Sequence, residues 1–406
     1  MIHFFYISAY DASEKGAIGT HTKGIIGAAL ASEEVGNSTV FLSSESENFL
    51  KDFPIKRRVC FKPLFQNKFL TGFARLLYCL QVVFGLLILP AKGKPEKLLF
   101  YVRRDLFFAT LIVLIAGIKF PGSKIVLEYN DLFNEHIKLA SNWQKWSRFG
   151  KLVRTSFFFQ RIVEIDECLS FLLSTLVVLV TPRHAEYVNK LCPKAKTLVV
   201  PNATERKIIA DSKEADFSEL RKEHGFSEDL FYIAHVGTIT VWDGLSELLQ
   251  AFHNCKHREK MRLIIAGTGS LKTELLNTVE KLQLNELVLF MDAMPHKEAL
   301  NLLRASDLVP LLKVTHQSPI KYYEALGCGK PMISSDMGVL NEIEKLGFGK
   351  VVSLPLNIQT ISQTIDFMWE NRALYTARKN KILSYSEKQC TWDKRFNCII
   401  EKLYIK

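Results

Sequence analysis

The sequence predicts an α/β protein of two doubly wound domains, and three observations carry that prediction. Beyond residue 230, short apolar runs alternate with segments of helical period: "FYIAHVG", "LSELLQAF", "MRLIIAG", "LKTELLNTVEKLQL", "LVLFMDA", "HKEALNLLRAS", "DLVPLL", "IKYYEALGCG", "PMISSD" and "VLNEIEKLG". Continuous apolar strands separated by helices imply a parallel sheet covered on both faces. The first half repeats the theme with "HFFYIS", "STVFLSS", "KLLFYVR", "KIVLEYN", "LVVLVT" and "TLVVPN". Between the halves lies a polar, charged stretch. The expected boundaries are a domain over 1–204, a linker over 205–230, a second domain over 231–385 and a terminal segment over 386–406. Ligands of such sheets sit beyond the carboxyl ends of the strands, and a cleft between two facing domains is the default site.

The amino terminus "MIHFFYISAYDASEK" has no basic region ahead of its apolar run and turns polar quickly, so it reads as a first strand rather than a signal peptide. Residues 69–91 are strongly apolar but include Arg75 and Gln81. Their uninterrupted core falls short of the roughly 20 residues a spanning helix needs. Residues 143–161, "WQKWSRFGKLVRTSFFFQR", contain no acidic residue. On a helical wheel Lys145, Arg148, Lys151 and Arg154 face one way, and Trp143, Trp146, Phe149, Val153 and Phe157 the other. That composition suits either a helix in a membrane interface or a surface helix packed by its aromatic face.

A balance of 53 basic to 42 acidic residues gives a formal charge of +11, which points to anionic partners: nucleic acid, a phospholipid surface or a phosphorylated small molecule. The eight cysteines form no Cys-x-x-Cys pair and no cluster at zinc spacing. A reducing, cytoplasmic setting is expected, with a peripheral position on the membrane as a further possibility. "GTGS" at 267–270 follows the wrong strand and lacks the third glycine of a dinucleotide fingerprint. No aromatic–basic recognition module appears outside 143–161, which argues against nucleic acid.

The stretch "HQSPIKYYEALGCGKP" places Ser318 as an N-cap and Pro319 as the first helical residue. Lys321 then falls in the first turn, at the positive end of the helix dipole, where an acidic residue is favoured. An anion bound at the same helix end explains it, since the first N–H groups of a helix lack intrahelical acceptors. Glu324 lies one turn on and can accept two hydrogen bonds, as a ribose offers. The competing reading is a solvated Lys321–Glu324 pair.

"SPIKYYEALGCGKPMISSD" resembles the donor-site helix of the retaining glycosyltransferases of family four, which have the GT-B fold. "HVGTITVWDGLSELLQAF", "LIIAGTGSLKTELL", "LVLFMDAMPHKEALNLLRASDLVPLL", "LVVLVTPRHAEYVNKL" and "TLVVPNA" resemble further family segments, in the family's order. The "VWDG" and "SPIK" forms are similar to a branch that builds bacterial surface polysaccharides. The resemblance implies two facing Rossmann-like domains and transfer of a sugar, with retention of configuration, from a UDP- or GDP-linked donor to a growing glycan. That acceptor is an oligosaccharide or a lipid-linked chain of an O-antigen, capsule or exopolysaccharide.

The same resemblance assigns Glu324 to the ribose, Ser318 and Ile320 to the diphosphate, and Met294 to the nucleobase. It assigns Gly237, Thr238 and Gly244 to the glycine-rich turn beside the phosphates. Lys321 would stabilise the leaving diphosphate. The family's second glutamate is replaced by His316, which would meet a sugar hydroxyl. Thr238 and Asp243 stand where family members commonly carry an arginine and a lysine, and Asn130 and Asp131 stand where many have a His–Asp pair. His21 and Lys23, in a loop expected at the cleft, and Arg103 and Arg104, after a strand, are candidates for an acceptor phosphate. No Asp-x-Asp occurs in the chain, so neither metal nor other cofactor is expected. A catalytically silent GT-B partner subunit and a GT-B nucleotide-sugar epimerase remain alternatives.

Overall fold

The computed structural model describes residues 1–8, 17–43, 53–61, 71–89, 97–104, 108–132, 156–315 and 318–404. The chain divides into two compact units, one of Met1–Pro201 with Asp393–Lys406 and one of Asn202–Trp392.

The first unit is built on seven strands: β1 (Ile2–Ile7), β2 (Val35–Ser43), β3 (Arg57–Phe61), β4 (Lys97–Arg103), β5 (Lys124–Tyr129), β6 (Leu176–Leu179) and β7 (Thr197–Val199). They lie parallel in the order β3-β2-β1-β4-β5-β6-β7. β1, β4, β5 and β6 are almost wholly buried, as runs with helices on both faces must be. β3 was not expected from sequence. Its "RRVCF" opens on two exposed arginines, and it lies at the sheet's edge, where charge blunts unwanted pairing.

The second unit has β8 (Phe231–Val236), β9 (Met261–Ala266), β10 (Val288–Met291), β11 (Val309–Leu311), β12 (Met332–Ser335) and β13 (Gly349–Val352). Two parallel ribbons, β10-β9-β8 and β11-β12-β13, are joined by a bridge between Ile233 and Leu308. Helices cover both faces. Leu248, Leu249, Phe252, Leu275, Ile361 and Ile365 close over one side of β8 and β9, and Tyr322, Tyr323 and Leu326 pack into a second core by β11 and β12.

Residues 205–230, expected as a linker, instead contribute two helices, Arg206–Glu214 and Phe217–Glu223, to the second unit. Ile208 and Ile209 are buried among its residues while the charged positions around them face outward, so a surface helix had the look of a connector. The terminal helix Trp392–Tyr404 belongs to the first unit from Asp393 onward, where Phe396 meets Phe4 edge to face at 5.7 Å. Residues 69–91 yield a helix over Thr71–Ile88, and no helix among the described residues is long and apolar enough to cross a membrane. Most of the 143–161 segment lies outside the described residues; its end enters a helix at Phe157–Leu173.

Candidate functional site

At the carboxyl edge of the second unit's sheet the strands deliver glycines. Gly237 follows β8 with φ +136°, and Gly267 follows β9 with φ +143°. A side chain on Gly267 would run into the Gly237 carbonyl, so the two turns touch backbone to backbone. A Cβ on Gly237 would occupy the space taken by Cε and Nζ of Lys321. Gly244, at φ +58°, closes the turn Val241–Asp243 against the Leu312 carbonyl and opens the helix Leu245–His253.

The helix carrying Lys321 spans Ile320–Gly327, with Pro319 at its N-cap and no side-chain cap. Ser318 is therefore not the cap expected from sequence. Its hydroxyl accepts from the Asn202 backbone N–H at 3.1 Å and pairs with the Tyr323 hydroxyl at 3.0 Å, while its carbonyl accepts from Asn202 Nδ2 at 2.6 Å. These bonds hold the strand of chain that delivers the helix. Lys321 stays in the first turn, and Ile320 is buried beneath it.

Lys321 does not pair with Glu324. Its Nζ lies 3.4 Å from His235 Nε2 and 3.9 Å from Asp243 Oδ1. Glu324 is engaged separately, its Oε1 2.7 Å from His296 Nε2. Asp243, buried at 4 % exposure, also accepts from Lys313 Nζ at 2.5 Å and from the Thr240 hydroxyl at 2.6 Å. Burial lowers the Lys321 ammonium to about 8, with Asp243 opposing the shift and Lys313 adding to it. Burial and then the Lys321 charge push His235 down to about 3, so its imidazole is neutral at pH 7. Burial alone would raise Asp243, but Lys321 and Lys313 outweigh it and hold the carboxyl well below the usual range. One carboxylate thus serves two ammonium groups, leaving positive charge at the helix end.

Four of these residues, His235, Asp243, Lys313 and His296, were not nominated as ligands from sequence. Lys313 directly follows the buried run "DLVPLL", a placement from which a cation at the sheet edge could have been read. Thr238 is exposed, with its carbonyl 3.4 Å from His235 Nε2. Met294 is partly buried against the cluster of Phe226, Tyr232 and Ala234. His316 lies outside the described residues.

The first-unit candidates are arranged otherwise. His21 and Lys23 lie on the helix Ala17–Ala31, not on a loop. His21 is buried, its Nε2 2.8 Å from Glu128 Oε1, and burial lowers it to about 4. A neutral, enclosed imidazole is not the phosphate cation expected from sequence. Arg395, from the terminal helix, donates to the same Glu128 oxygen at 2.7 Å and to the carbonyls of Val200 and Pro201. Arg104 is also committed: it meets Asp166 at 3.0 Å and Glu167 at 3.7 Å, and Glu167 accepts from Tyr129 and Tyr187. Arg103 is buried near Tyr6 and Glu128, and Lys23 is half-buried. At the end of β5 the Asn130 carbonyl lies 3.0 Å from His184 Nε2, and Asp131 is exposed. Among the described residues no group of three or more His, Cys, Asp or Glu could hold a metal.

Comparison with solved structures shows what this architecture is. The chain aligns over 100 % of its length with 100 % of WaaG, a glycosyltransferase involved in lipopolysaccharide biosynthesis, at TM-score 0.68 and 12 % identity. It aligns over 99 % with 99 % of Anabaena HepE, solved in complex with UDP-glucose, at TM-score 0.70 and 17 % identity. The fold is GT-B. Residues 216–387 match the family described as glycosyl transferases group 1. This GT-B chain is also 27 % identical over 132 residues to N-acetyl-alpha-D-glucosaminyl L-malate synthase of Bacillus anthracis, covering 32 % of this chain. That match spans 34 % of the relative's own length. All of the charged site around Lys321 falls inside the family-matched stretch.

Proposed function

We propose that this protein is a glycosyltransferase that takes a sugar from a UDP- or GDP-linked donor, with retention of configuration, and passes it to a growing, lipid-linked surface glycan. The observation that carries the reading is the placement of Lys321: a first-turn ammonium lying across the Gly237 turn and sharing its carboxylate with Lys313. A diphosphate at that helix end would gain both the surplus positive charge and the free N–H groups. Glu324 takes the ribose hydroxyls, exchanging or sharing its bond to His296, while Ser318, Ile320, Thr238 and Gly244 shape the phosphate turn and Met294 borders the base. In the reaction Lys321 stabilises charge developing on the leaving diphosphate, and His316, Asn130 and Asp131 are the remaining candidates near the sugar. The first unit would take the acceptor.

Membrane association belongs to the same reading and is supported by three helices packed side by side in the first unit. Exposed Leu80, Phe84, Leu87 and Ile88 run along Thr71–Ile88, Leu114 and Ile118 along Phe108–Lys119, and Ile165, Leu169, Leu172 and Leu173 along Phe157–Leu173. Repeats at four and seven residues put each set on one helix face. The first two helices contain no acidic residue and the chain is strongly basic, which fits an anionic bilayer surface better than a second copy of a like-charged chain.

Titration calorimetry with UDP and GDP tests the donor site. Lys321→Gln should weaken binding of the matched diphosphate by about 1.5–3 kcal/mol, the value of a charge-assisted contact. Glu324→Gln should weaken it too, although the sugar is absent. Unchanged affinity in both variants would defeat the assignment.

A further inference from the structure

A pocket lies in the second unit at the edge of its sheet opposite the Lys321 site. It is a cavity of about 280 Å³ whose lining includes Phe231, at the start of β8, and Pro331, just before β12. Lys321 and Gly237 stand past the far ends of the strands. A six-residue strand at about 3.3 Å per residue separates the two places by roughly 20 Å.

The pocket's charge is out of balance. Arg221 lines it with a matched carboxylate, meeting Asp307 at 3.0 and 2.9 Å. Arg304, Lys330, Arg372 and Lys379 also line it, and among the described residues none of the four has a carboxylate within ion-pair distance. Two of them are deeply buried, Arg304 at 3 % and Lys330 at 7 % exposure. Their hydrogen-bond acceptors are uncharged: Arg304 donates to Ser212 Oγ, Asn301 Oδ1 and the Ile208 carbonyl, and Lys330 to the Ser306 carbonyl at 2.6 Å. A buried cation without a counter-charge is costly. Burial lowers Lys330 to about 7, although the Asp307 carboxylate, already paired with Arg221, opposes the shift.

The cations converge rather than scatter. The ammonium groups of Lys330 and Lys379 lie 4.3 and 3.4 Å from the centre of the Phe217 ring. Gly329, at φ +67°, admits the stem of Lys379, since a Cβ there would stand 3.0 Å from its Cγ. The acidic residues Glu228 and Asp229 sit exposed on the rim.

We propose that this pocket binds a small phosphate-bearing anion, inorganic phosphate or a phosphate monoester, as a site separate from the one at Lys321. A dianion there supplies the charge that Arg304 and Lys330 lack, with Lys379 and Arg372 closing on it from the outer side.

The test is titration calorimetry of the full chain with inorganic phosphate and with glucose 1-phosphate, the latter to separate free phosphate from a monoester. Each titration is run with and without saturating UDP. One binding event should persist in the presence of UDP and in Lys321→Gln. Lys379→Gln and Arg372→Gln, at half-buried and exposed positions, should each weaken it roughly tenfold, about 1.4 kcal/mol. Lys330→Met should abolish it, with circular dichroism confirming the fold. Absence of binding with UDP present, or unchanged affinity in both outer variants, would overturn the proposal.

Discussion

Each unit buries a histidine, a carboxylate and cations at the carboxyl edge of its sheet, yet the two clusters are finished differently. In the first unit His21, Glu128 and Arg395 are 1 %, 0 % and 3 % exposed, and Arg395 also donates through Nη1 to the Val200 and Pro201 carbonyls. In the second, Asp243 is just as enclosed, but the 3.9 Å from Lys321 Nζ is too long for a tight ion pair, and 21 % of the Lys321 side chain is open. The closed cluster holds a fold together. The open one leaves charge at the end of a helix, a place that favours anions.

The contrast is broken most severely at Arg395. Arg395→Met takes from buried Glu128 its hydrogen-bonded cation, leaving a neutral imidazole and the nearby Arg103 charge, and removing one partner of a buried pair costs about 3–5 kcal/mol. A drop of that size in unfolding free energy is expected in urea titrations, with UDP affinity of the folded protein unchanged. Gly237→Ala should come next. A φ of +136° resists any Cβ, at about 1–3 kcal/mol, and the added methyl displaces Lys321. Stability and UDP affinity should therefore fall together, whereas Lys321→Gln should lower affinity and leave stability within about 0.5 kcal/mol.

Acid sharpens the comparison further. Unfolded histidines take up a proton near pH 6.5, while His21 resists down to about 4 and His235 to about 3. Between those limits the unfolded state binds more protons, so stability present above pH 6.5 should be lost as pH falls toward 4. His21→Gln, which keeps a donor for Glu128, should flatten the upper part of that slope in thermal melts. The smallest effect is none: excess EDTA should leave transfer from the nucleotide-sugar unchanged, and a loss restored by magnesium or manganese would contradict donor activation by Lys321 alone.

Much of this was legible in the sequence, for identifiable reasons. Strands buried on both faces are written as mainly apolar runs, so β8 and β9 could be placed almost to the residue. The edge strand β3 and the short β13, "GKVV", carry no such run. Lys321 stood out because it contradicts the helix it sits in. Its companions His235, Asp243 and Lys313 follow ordinary local rules and lie as many as 86 residues away along the chain. Only the parallel sheet, which returns every strand to the same edge, brings them together. His21 and Arg104 were harder to read for the converse reason: sequence shows that they are polar, not that Glu128 and Asp166 engage them.

Arg395 also sets an order of manufacture. The chain leaves the first unit after Pro201, builds the whole second unit, and returns only at Asp393. The loop carbonyls of Val200 and Pro201 must wait for a residue translated 195 and 194 positions later, and Glu128 for one 267 positions later. At about 5–20 residues per second on the ribosome, those waits are on the order of 10–50 s. The amino-terminal half is thus begun first and completed last, and a nascent chain stopped before residue 395 carries a buried glutamate still lacking its arginine.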